Sequence, residues 1–273
     1  LRKYLQVSCE GLKVRAVSEP LVILILFMTV VLISLSIFFF STFSVDATTA
    51  SVEYGYVKSM FREVAFSIPE VLNGQSIYVR HPSSIINLGY RKLPVNLTIQ
   101  LEFANGSRLL VLEKTEFYAI TGGIHRNVLE NVGVNLIFGR DKPIVTEKRE
   151  LALVREYYSN GWTFIELDTS RIYCSIYRVG FNNYYMEILV VDFGGFYDAN
   201  QPPSVIGGGS ITLKYDVAST LVKEHSKVAN IYITHNQTTL TLREILPPNE
   251  SFDRVSGNLT VRIIYKKIKV LIS

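Results

Sequence analysis

The stretch PLVILILFMTVVLISLSIFFFSTFSV, residues 20–45, is a run of 26 residues without a charged side chain. As a helix it would be about 39 Å long, which exceeds the roughly 30 Å hydrocarbon core of a bilayer. No second uncharged run in the 273-residue chain approaches the roughly 18 residues that a span requires. The sequence therefore predicts one membrane-spanning helix and excludes both a purely soluble protein and a multi-span transporter.

The charged residues around this run predict its orientation. The chain has a formal net charge of +4, and most of this charge lies in the first 16 residues, where one acidic residue, Glu10, faces four basic ones: Arg2, Lys3, Lys13 and Arg15. Asp46 and Glu53 follow the run on its other side. By the positive-inside rule, the N-terminus is cytoplasmic and the C-terminal domain is extracellular. That domain is nearly neutral, so no basic face for nucleic acid is expected.

Two common kinds of N-terminal segment contain an apolar run of this sort, a cleaved signal peptide and a signal anchor. A secretory signal peptide has an apolar region of about 7–15 residues before its cleavage site. This run is longer, and SVDA at residues 44–47 is a poor site for cleavage. A plain signal anchor, which uses the run only as a tether, stays open on these grounds.

The eight residues KVRAVSEP, 13–20, lead directly into the apolar run. They combine the basic residues Lys13 and Arg15, the small residue Ala16, and a Ser-Glu pair. This arrangement resembles the class III signal peptide of archaeal type IV pilins, and the resemblance covers about residues 13–80. It implies that a prepilin peptidase recognises Lys13 and Arg15 and cuts between Ala16 and Val17. The apolar helix would then be kept in the mature protein.

Glu19 would become the third residue of that mature chain. A carboxylate near the start of a helix is favoured by the helix dipole. The resemblance implies an assembly role, in which Glu19 meets the free amine of a neighbouring subunit's Val17 inside a helix bundle. Pro20 is compatible with this arrangement, because the first turn of a helix needs no backbone donor at that position.

Beyond the membrane, residues 46–72 show the pattern of an amphipathic helix. Apolar residues recur along one stripe, with charged residues elsewhere: Val57, Met60, Phe61, Val64 and Ile68. We expect the helix to continue to about Ser67 and Pro69 to end or kink it, with a turn at Asn73-Gly74. The alternative is a separate second helix joined at Thr48-Thr49 or Gly55.

Downstream, the apolar period changes from 3.6 to 2, which indicates strands. The predicted fold class is α+β, a long N-terminal helix carrying an antiparallel β-sandwich head. The expected domains are a leader at 1–16, the helix at 17–68 and the head at 75–273, with a possible subdivision near 201–209. We expect Thr121-Gly122-Gly123 to separate strands. Residues 218–228 fit either a short helix or a continuing strand. The predicted strands cover residues 75–81, 95–103, 107–113, 143–154, 162–168, 171–179, 184–193, 209–217, 229–235 and 258–272.

Five N-x-[ST] sequons follow the apolar run and none precedes it, in agreement with the outward topology: Asn96, Asn105, Asn236, Asn249 and Asn258. Asn96 and Asn258 fall inside predicted strands, so Asn105, Asn236 and Asn249 are the better glycosylation candidates. Glycans at these positions would solubilise and protect a surface domain.

The residues that usually carry chemistry form no recognisable motif. The four histidines lack the spacing of a metal site, and Cys174 lies in a predicted strand without a nearby activating base. Asp192 and Asp198 share one predicted loop but lack the dense acidic spacing of a calcium site. We therefore predict no catalytic residue, no metal and no cofactor.

These observations favour a structural function at the cell surface. The expected protein is a pilin-like subunit, processed by prepilin peptidase and assembled through its N-terminal helix into a type IV pilus-like filament. Both a main filament subunit and a minor or adhesive subunit fit this expectation. Its expected partners are the peptidase, the pilus assembly machinery, other pilin subunits and membrane lipid. The alternative is a monomeric membrane-anchored extracellular domain that binds a ligand or acts as an enzyme.

Overall fold

A computed structural model describes residues 6–81, 86–129, 133–180, 183–194, 205–206, 209–245 and 258–272. For residues 6–19, His81 and residues 205–206 the description covers the backbone alone. The chain divides into two compact units, Leu1–Val52 and Glu53–Ser273. The first unit is helical where it is described, and the second contains the β-sheets.

The N-terminal helix, α1, runs from Gln6 to Leu72. The expected end near Ser67 is wrong by five residues, and neither Thr48-Thr49 nor Gly55 interrupts the helix. Pro69 removes one backbone donor, but Ile68, Val71 and Leu72 are buried and hold the last turn in place. The helix then stops at the predicted turn, where Gly74 has a φ of +99°.

The carbonyl at the end of α1 is capped from a distant strand. Lys266 Nζ donates to the Leu72 carbonyl oxygen over 2.9 Å. A cation at a helix C-terminus satisfies a free carbonyl and interacts favourably with the helix dipole. This bond joins the end of the helix to a residue 194 positions later in the chain.

Fifteen strands are described. Their bounds, with those of the two short helices between them, are β1 Ile77–His81, β2 Asn87–Leu93, β3 Leu97–Phe103, β4 Arg108–Lys114, β5 Phe117–Ile124, β6 Asn135–Phe138, β7 Ile144–Val145, a 3-10 helix Lys148–Leu151, β8 Leu153–Ser159, β9 Trp162–Asp168, β10 Ile172–Gly180, β11 Asn183–Gly194, β12 Val205–Ile206, β13 Gly209–His235, β14 Thr238–Thr241, α2 Leu242–Ile245 and β15 Asn258–Ile272.

The strands form two sheets, so the predicted α+β fold with a β-sandwich-like head is confirmed. The nine-stranded sheet has the order β4-β3-β13-β15-β11-β10-β7, with β1 and β14 also paired to β13. The six-stranded sheet has the order β12-β2-β5-β9-β8-β6. The nine-stranded sheet combines strands that precede residues 201–209 with β13, β14 and β15, and Glu53–Ser273 is one compact unit.

Two features of the pairing differ from the predicted antiparallel pattern. The long pair β11 and β15 is parallel, and so is the short pair β10 and β7. Residues 218–228 belong to the 27-residue strand β13, which bends at bulges after Asp216 and His225 while it pairs with β15. The ambiguity over this segment is thus resolved as strand.

The nine-stranded sheet has one face in a large apolar cluster. Alternate residues of β3, Leu97, Ile99 and Leu101, are fully buried there, and Phe117 and Ala119 of the six-stranded sheet join them. Strand β11 is buried on both faces, since the residues on its two sides all have 3% exposure or less: Met186, Ile188, Leu189, Val190, Val191 and Phe193. A strand that is covered on both sides has a continuous run of apolar residues in its sequence.

The apolar stripe of α1 is buried in the second unit, as its spacing predicts. Val57, Phe61, Val64 and Ile68 all have 1% exposure or less. A Cβ atom added to Gly122 of β5 would lie 3.3 Å from Phe61 Cε2 and 3.0 Å from Ile165 Cγ2. Gly122 therefore lets the ring approach the sheet backbone, and Thr121-Gly122-Gly123 lies inside a strand instead of separating two strands.

We expect Gly122→Ala to destabilise the head by about 1–3 kcal/mol, because the added methyl group must displace the fully buried Phe61 and Ile165 side chains. Denaturant unfolding of the full chain in detergent measures this change. Gly55→Ala is the matched control, because nothing lies within 4 Å of a Cβ at that helical position. It should stabilise by about 0.5–1 kcal/mol. Equal effects of the two substitutions would contradict the proposed close approach.

Candidate functional site

The candidate site for assembly is the apolar surface of α1 between Pro20 and Val45. Every side chain in this stretch is exposed, and the exposure of the large apolar ones lies between 36% for Val31 and 76% for Phe40. The exposed residues surround the whole circumference of the helix. A helix that is apolar on all sides requires an apolar solvent, which is either lipid or other helices.

Three of the hydroxyl groups within this surface are satisfied by the helix itself. Thr29, Ser36 and Thr42 each donate to the carbonyl oxygen four residues earlier, over 2.7–2.9 Å. An unsatisfied hydroxyl in hydrocarbon costs several kcal/mol, so these local bonds suit the helix to an environment without water. Among the described helices, the segment starting at Pro20 is the one apolar and long enough to cross a membrane, with a mean hydropathy of 3.0.

The residues that the pilin resemblance singles out lie just before this surface. The backbone at Lys13, Arg15, Ala16, Val17 and Glu19 is helical, but their side chains lie outside the described residues. The roles expected of them in recognition, cleavage and assembly therefore stay predictions.

Pro20 does not lie in the first turn of α1 in the full chain. With α1 beginning at Gln6, Pro20 lies well inside the helix instead of in its first turn. A helix that started at Val17 would again place Pro20 in the first turn, where its missing donor costs no hydrogen bond.

The amphipathic end of α1 is held by a buried carboxylate on β8. Glu156 is 6% exposed and accepts a hydrogen bond from Tyr54 OH and another from Lys58 Nζ, each over 3.0 Å. Burial and the neighbouring carboxylate raise the pKa of Tyr54 far above its usual range, so its hydroxyl stays a donor. Within the second unit, this contact fixes the rotation of the Glu53–Leu72 part of α1 against the six-stranded sheet.

A second charged cluster lies on the opposite face of the six-stranded sheet. Glu166 of β9 is fully buried and accepts hydrogen bonds from Arg155 Nε over 2.8 Å and from Arg91 Nη1 over 3.1 Å. Tyr157 OH also contacts Arg91 Nη1. Sequence reasoning missed this cluster, because its partners are up to 75 residues apart. The alternation along each strand indicates which residues share a face of that strand, but it does not indicate which strands are neighbours.

Aromatic side chains continue from this cluster along the same face. The Tyr157 and Phe164 rings have centroids 5.4 Å apart, and those of Phe164 and Trp162 are 6.3 Å apart and nearly parallel. Phe164 and Trp162 lie over Gly123 and line a groove of about 360 Å³. The face therefore places apolar ring surface beside the charged groups around Glu166.

The structure brings two predicted glycosylation sites together. Asn236 N donates to the Asn96 carbonyl oxygen over 2.7 Å, and Asn96 N donates to Asn236 Oδ1 over 3.0 Å. Asn96 precedes β3 instead of lying inside a strand, whereas Asn258 is the first residue of β15. Asn249 lies outside the described residues.

Asn105 is at the exposed tip of the β3–β4 hairpin. Its Oδ1 accepts hydrogen bonds from Ser107 N over 3.0 Å and from Ser107 Oγ over 2.7 Å. The acceptor asparagine and the serine of its own sequon are thus joined in one compact turn. Both of these hydrogen bonds stay within the loop that carries Asn105.

The remaining chemical candidates are built into the head. Cys174 is buried in β10, and burial raises the pKa of its thiol well above the usual range, which disfavours the reactive thiolate. Asp192 lies inside β11 and is paired with Lys114, so it is not on a calcium-binding loop, and Asp198 lies outside the described residues. Within the described ranges, no three His, Cys, Asp or Glu side chains are grouped as metal ligands.

No protein-family model, curated protein or solved structure matches this chain. The interpretation of the site therefore depends on the residues and contacts described above.

We expect the protein to stay in the membrane when one lysine is placed at the centre of the apolar run. Lysine at the centre of a span costs about 2.5–3.5 kcal/mol, whereas Leu, Ile, Val and Phe each contribute about −0.3 to −0.6 kcal/mol. Residues 20–45 contain 18 such residues, and their total exceeds the cost of one lysine. Leu32→Lys, like the control Leu32→Ala, should stay in the membrane fraction after alkaline extraction. Release of the lysine variant alone would contradict a transmembrane location.

Proposed function

We propose that this protein is a pilin-like subunit of the cell surface, with a resemblance to archaeal type IV pilins. In this proposal a prepilin peptidase removes residues 1–16, and the helix that follows enters a type IV pilus-like filament. The head is displayed outside the cell, and a minor or adhesive subunit is one form of the same function. The partners are the peptidase, the assembly machinery, other pilin subunits and membrane lipid.

The observation that carries the proposal is the division of α1 into two surfaces. From Pro20 to Val45 the helix is exposed and apolar on all sides, whereas from Glu53 to Leu72 it has one buried stripe. The first surface suits lipid before assembly and other helices after it, so one segment serves both states without refolding. A peptidase site directly before the run would release a new N-terminus at the start of this surface.

The alternative, a monomeric anchored domain that binds a ligand, has its own support in the groove lined by Trp162 and Phe164. In that case α1 would be a tether alone, and no leader would be removed. The two functions therefore differ in what happens at Ala16 and Val17.

We expect the mature protein to begin at Val17 when the full chain is produced together with a prepilin peptidase. N-terminal sequencing or mass spectrometry of the membrane fraction measures this residue. An Ala16→Leu variant should stay unprocessed, because a bulky residue replaces the small residue before the cut. An intact leader on the unsubstituted chain, or a terminus after Val45, would reject the pilin proposal.

Assembly is tested separately with Glu19→Ala. This variant should still be cut before Val17 but should form no filaments in electron micrographs, because the carboxylate that pairs with a neighbouring subunit's amine is absent. The matched variant Glu53→Ala changes a carboxylate beyond the apolar run and should leave filaments intact. Filaments from the Glu19→Ala chain would contradict the assembly role of Glu19.

The extracellular location also predicts which sequon carries a glycan. Asn105 projects from a hairpin tip, whereas Asn96 and Asn236 bond to each other and a glycan on one would crowd the other. In a host that transfers N-glycans, Asn105→Gln and Ser107→Ala should each remove one glycan mass, while Asn96→Gln should not. Peptide mapping that finds Asn105 bare and Asn96 or Asn236 modified would contradict this order.

A further inference from the structure

Three polar side chains meet inside the head, where Lys114 ends β4, Asp192 lies in β11 and Tyr265 lies in β15. Lys114 Nζ is 2.7 Å from Asp192 Oδ2. The Tyr265 hydroxyl is 3.0 Å from the same carboxylate oxygen and 3.1 Å from Lys114 Nζ. The three groups therefore form a closed triangle of hydrogen bonds between strands that are far apart in the sequence.

The triangle lies in apolar surroundings. The Asp192 side chain is 3% exposed and that of Lys114 is 19% exposed. The Lys114 ammonium lies 5.1 Å from the centroid of the Phe117 ring and 5.4 Å from that of Tyr265. Both charges of this pair have thus lost most of their water, which is costly even for well-matched partners.

The carboxylate of Asp192 is incompletely satisfied. Within the described part of the chain, its buried Oδ1 has no hydrogen-bond partner. Burial raises the pKa of Asp192 above its ordinary value, although Lys114 and Tyr265 oppose the shift. The neutral form of the carboxyl group is therefore more favourable for Asp192 than for an exposed aspartate.

We propose that Lys114 and Asp192 condense to form an amide bond between their side chains, a covalent cross-link inside the head. This inference does not depend on the pilin function proposed above. It concerns Glu53–Ser273, and it would hold equally for a monomeric anchored domain.

The reaction needs no co-reactant. One proton passes from the Lys114 ammonium to Asp192 Oδ2, which gives a neutral amine and a neutral carboxylic acid. The Nζ lone pair attacks Asp192 Cγ and forms the new N–C bond. A second proton moves from Nζ to Oδ2 through the Tyr265 hydroxyl, which contacts both atoms. The Cγ–Oδ2 bond then breaks, and one water molecule leaves. Asp192 Oδ1 becomes the amide carbonyl oxygen.

Proximity and burial both favour this condensation. The fold holds amine and carboxyl group in contact, and well-oriented intramolecular groups react as if each were present at roughly 10⁵–10⁸ M. An ion pair is replaced by a neutral amide, which costs less to bury. Tyr265 is a positioning and proton-transfer residue, and burial beside Asp192 raises the pKa of its hydroxyl well above its usual range.

The cross-link would tie an edge strand of the nine-stranded sheet to its interior. In the sheet order, β4 is the outer strand and β3, β13 and β15 separate it from β11. Its covalent attachment would keep β4 joined to the sheet during local opening. The bond would also close a large loop and so reduce the conformational freedom of the unfolded chain.

The test is the mass of the full chain, purified in detergent without any treatment that forms amides. We expect the intact protein to be lighter than its sequence by one water, after correction for any leader removal. A tryptic digest should contain one branched peptide that joins the Lys114 and Asp192 segments, with no cleavage after Lys114. The matched control Lys114→Arg keeps the positive charge but lacks the nucleophile, and it should show its full sequence mass.

Two outcomes would overturn the proposal. One is a full-mass protein in which trypsin cleaves after Lys114, because the pair would then be a salt bridge alone. The other is a water loss that persists in Lys114→Arg, which would place the dehydration elsewhere.

Tyr265→Phe should lower the cross-linked fraction at a fixed time after synthesis. An unchanged fraction would reject proton transfer through that hydroxyl.

Discussion

The head depends on the contact between the buried stripe of α1 and the six-stranded sheet. Phe61 lies over Gly122, whose missing side chain lets the ring approach the backbone of β5. Lys58 and Tyr54, about one and two turns before Phe61, bond to Glu156 on β8. Apolar contact supplies the driving force, and the polar contacts fix the rotation of the helix about its axis. Without them, the apolar stripe could pack in several orientations.

The same helix is adapted to two different solvents. Its stripe in the second unit follows a period near 3.6, because one side faces the sheets and the other faces water. Between Pro20 and Val45 the helix has no charged side chain, and the hydroxyls of Thr29, Ser36 and Thr42 are bonded to the helix backbone. The change occurs near Asp46, the first charged residue after the run. Composition alone therefore marks where the chain passes from one environment to the other.

Much of this architecture could be predicted from the sequence, since helix period and strand alternation are local signals. The errors have physical causes. The sequence does not predict strand β5, because its glycines serve a close approach that local patterns do not reveal. It leaves β13 undecided at residues 218–228, because that segment fits a short helix as well as a strand. The parallel pairing of β11 and β15 depends on the topology of the whole sheet.

The candidate sites also differ in how far they can be predicted from the sequence. The apolar run and the leader residues are contiguous, so sequence alone can point to them. The Glu166 cluster, the pairing of Asn96 with Asn236 and the Lys114–Asp192 contact join residues far apart in the chain. Such contacts can be seen only when the strands have been placed, because each residue by itself is an ordinary polar side chain.

The position of β15 has a consequence for the order in which the domain can form. This strand lies between β11 and β13 in the nine-stranded sheet and comes after every other described strand in the chain. Until it emerges during synthesis, β11 and β13 have no common partner, and the cap on Leu72 that comes from Lys266 is missing as well. The head therefore cannot complete its sheet progressively as the chain lengthens. Strand β15 is synthesised after the strands that it joins, and until then the exposed edges of β11 and β13 need protection from aggregation.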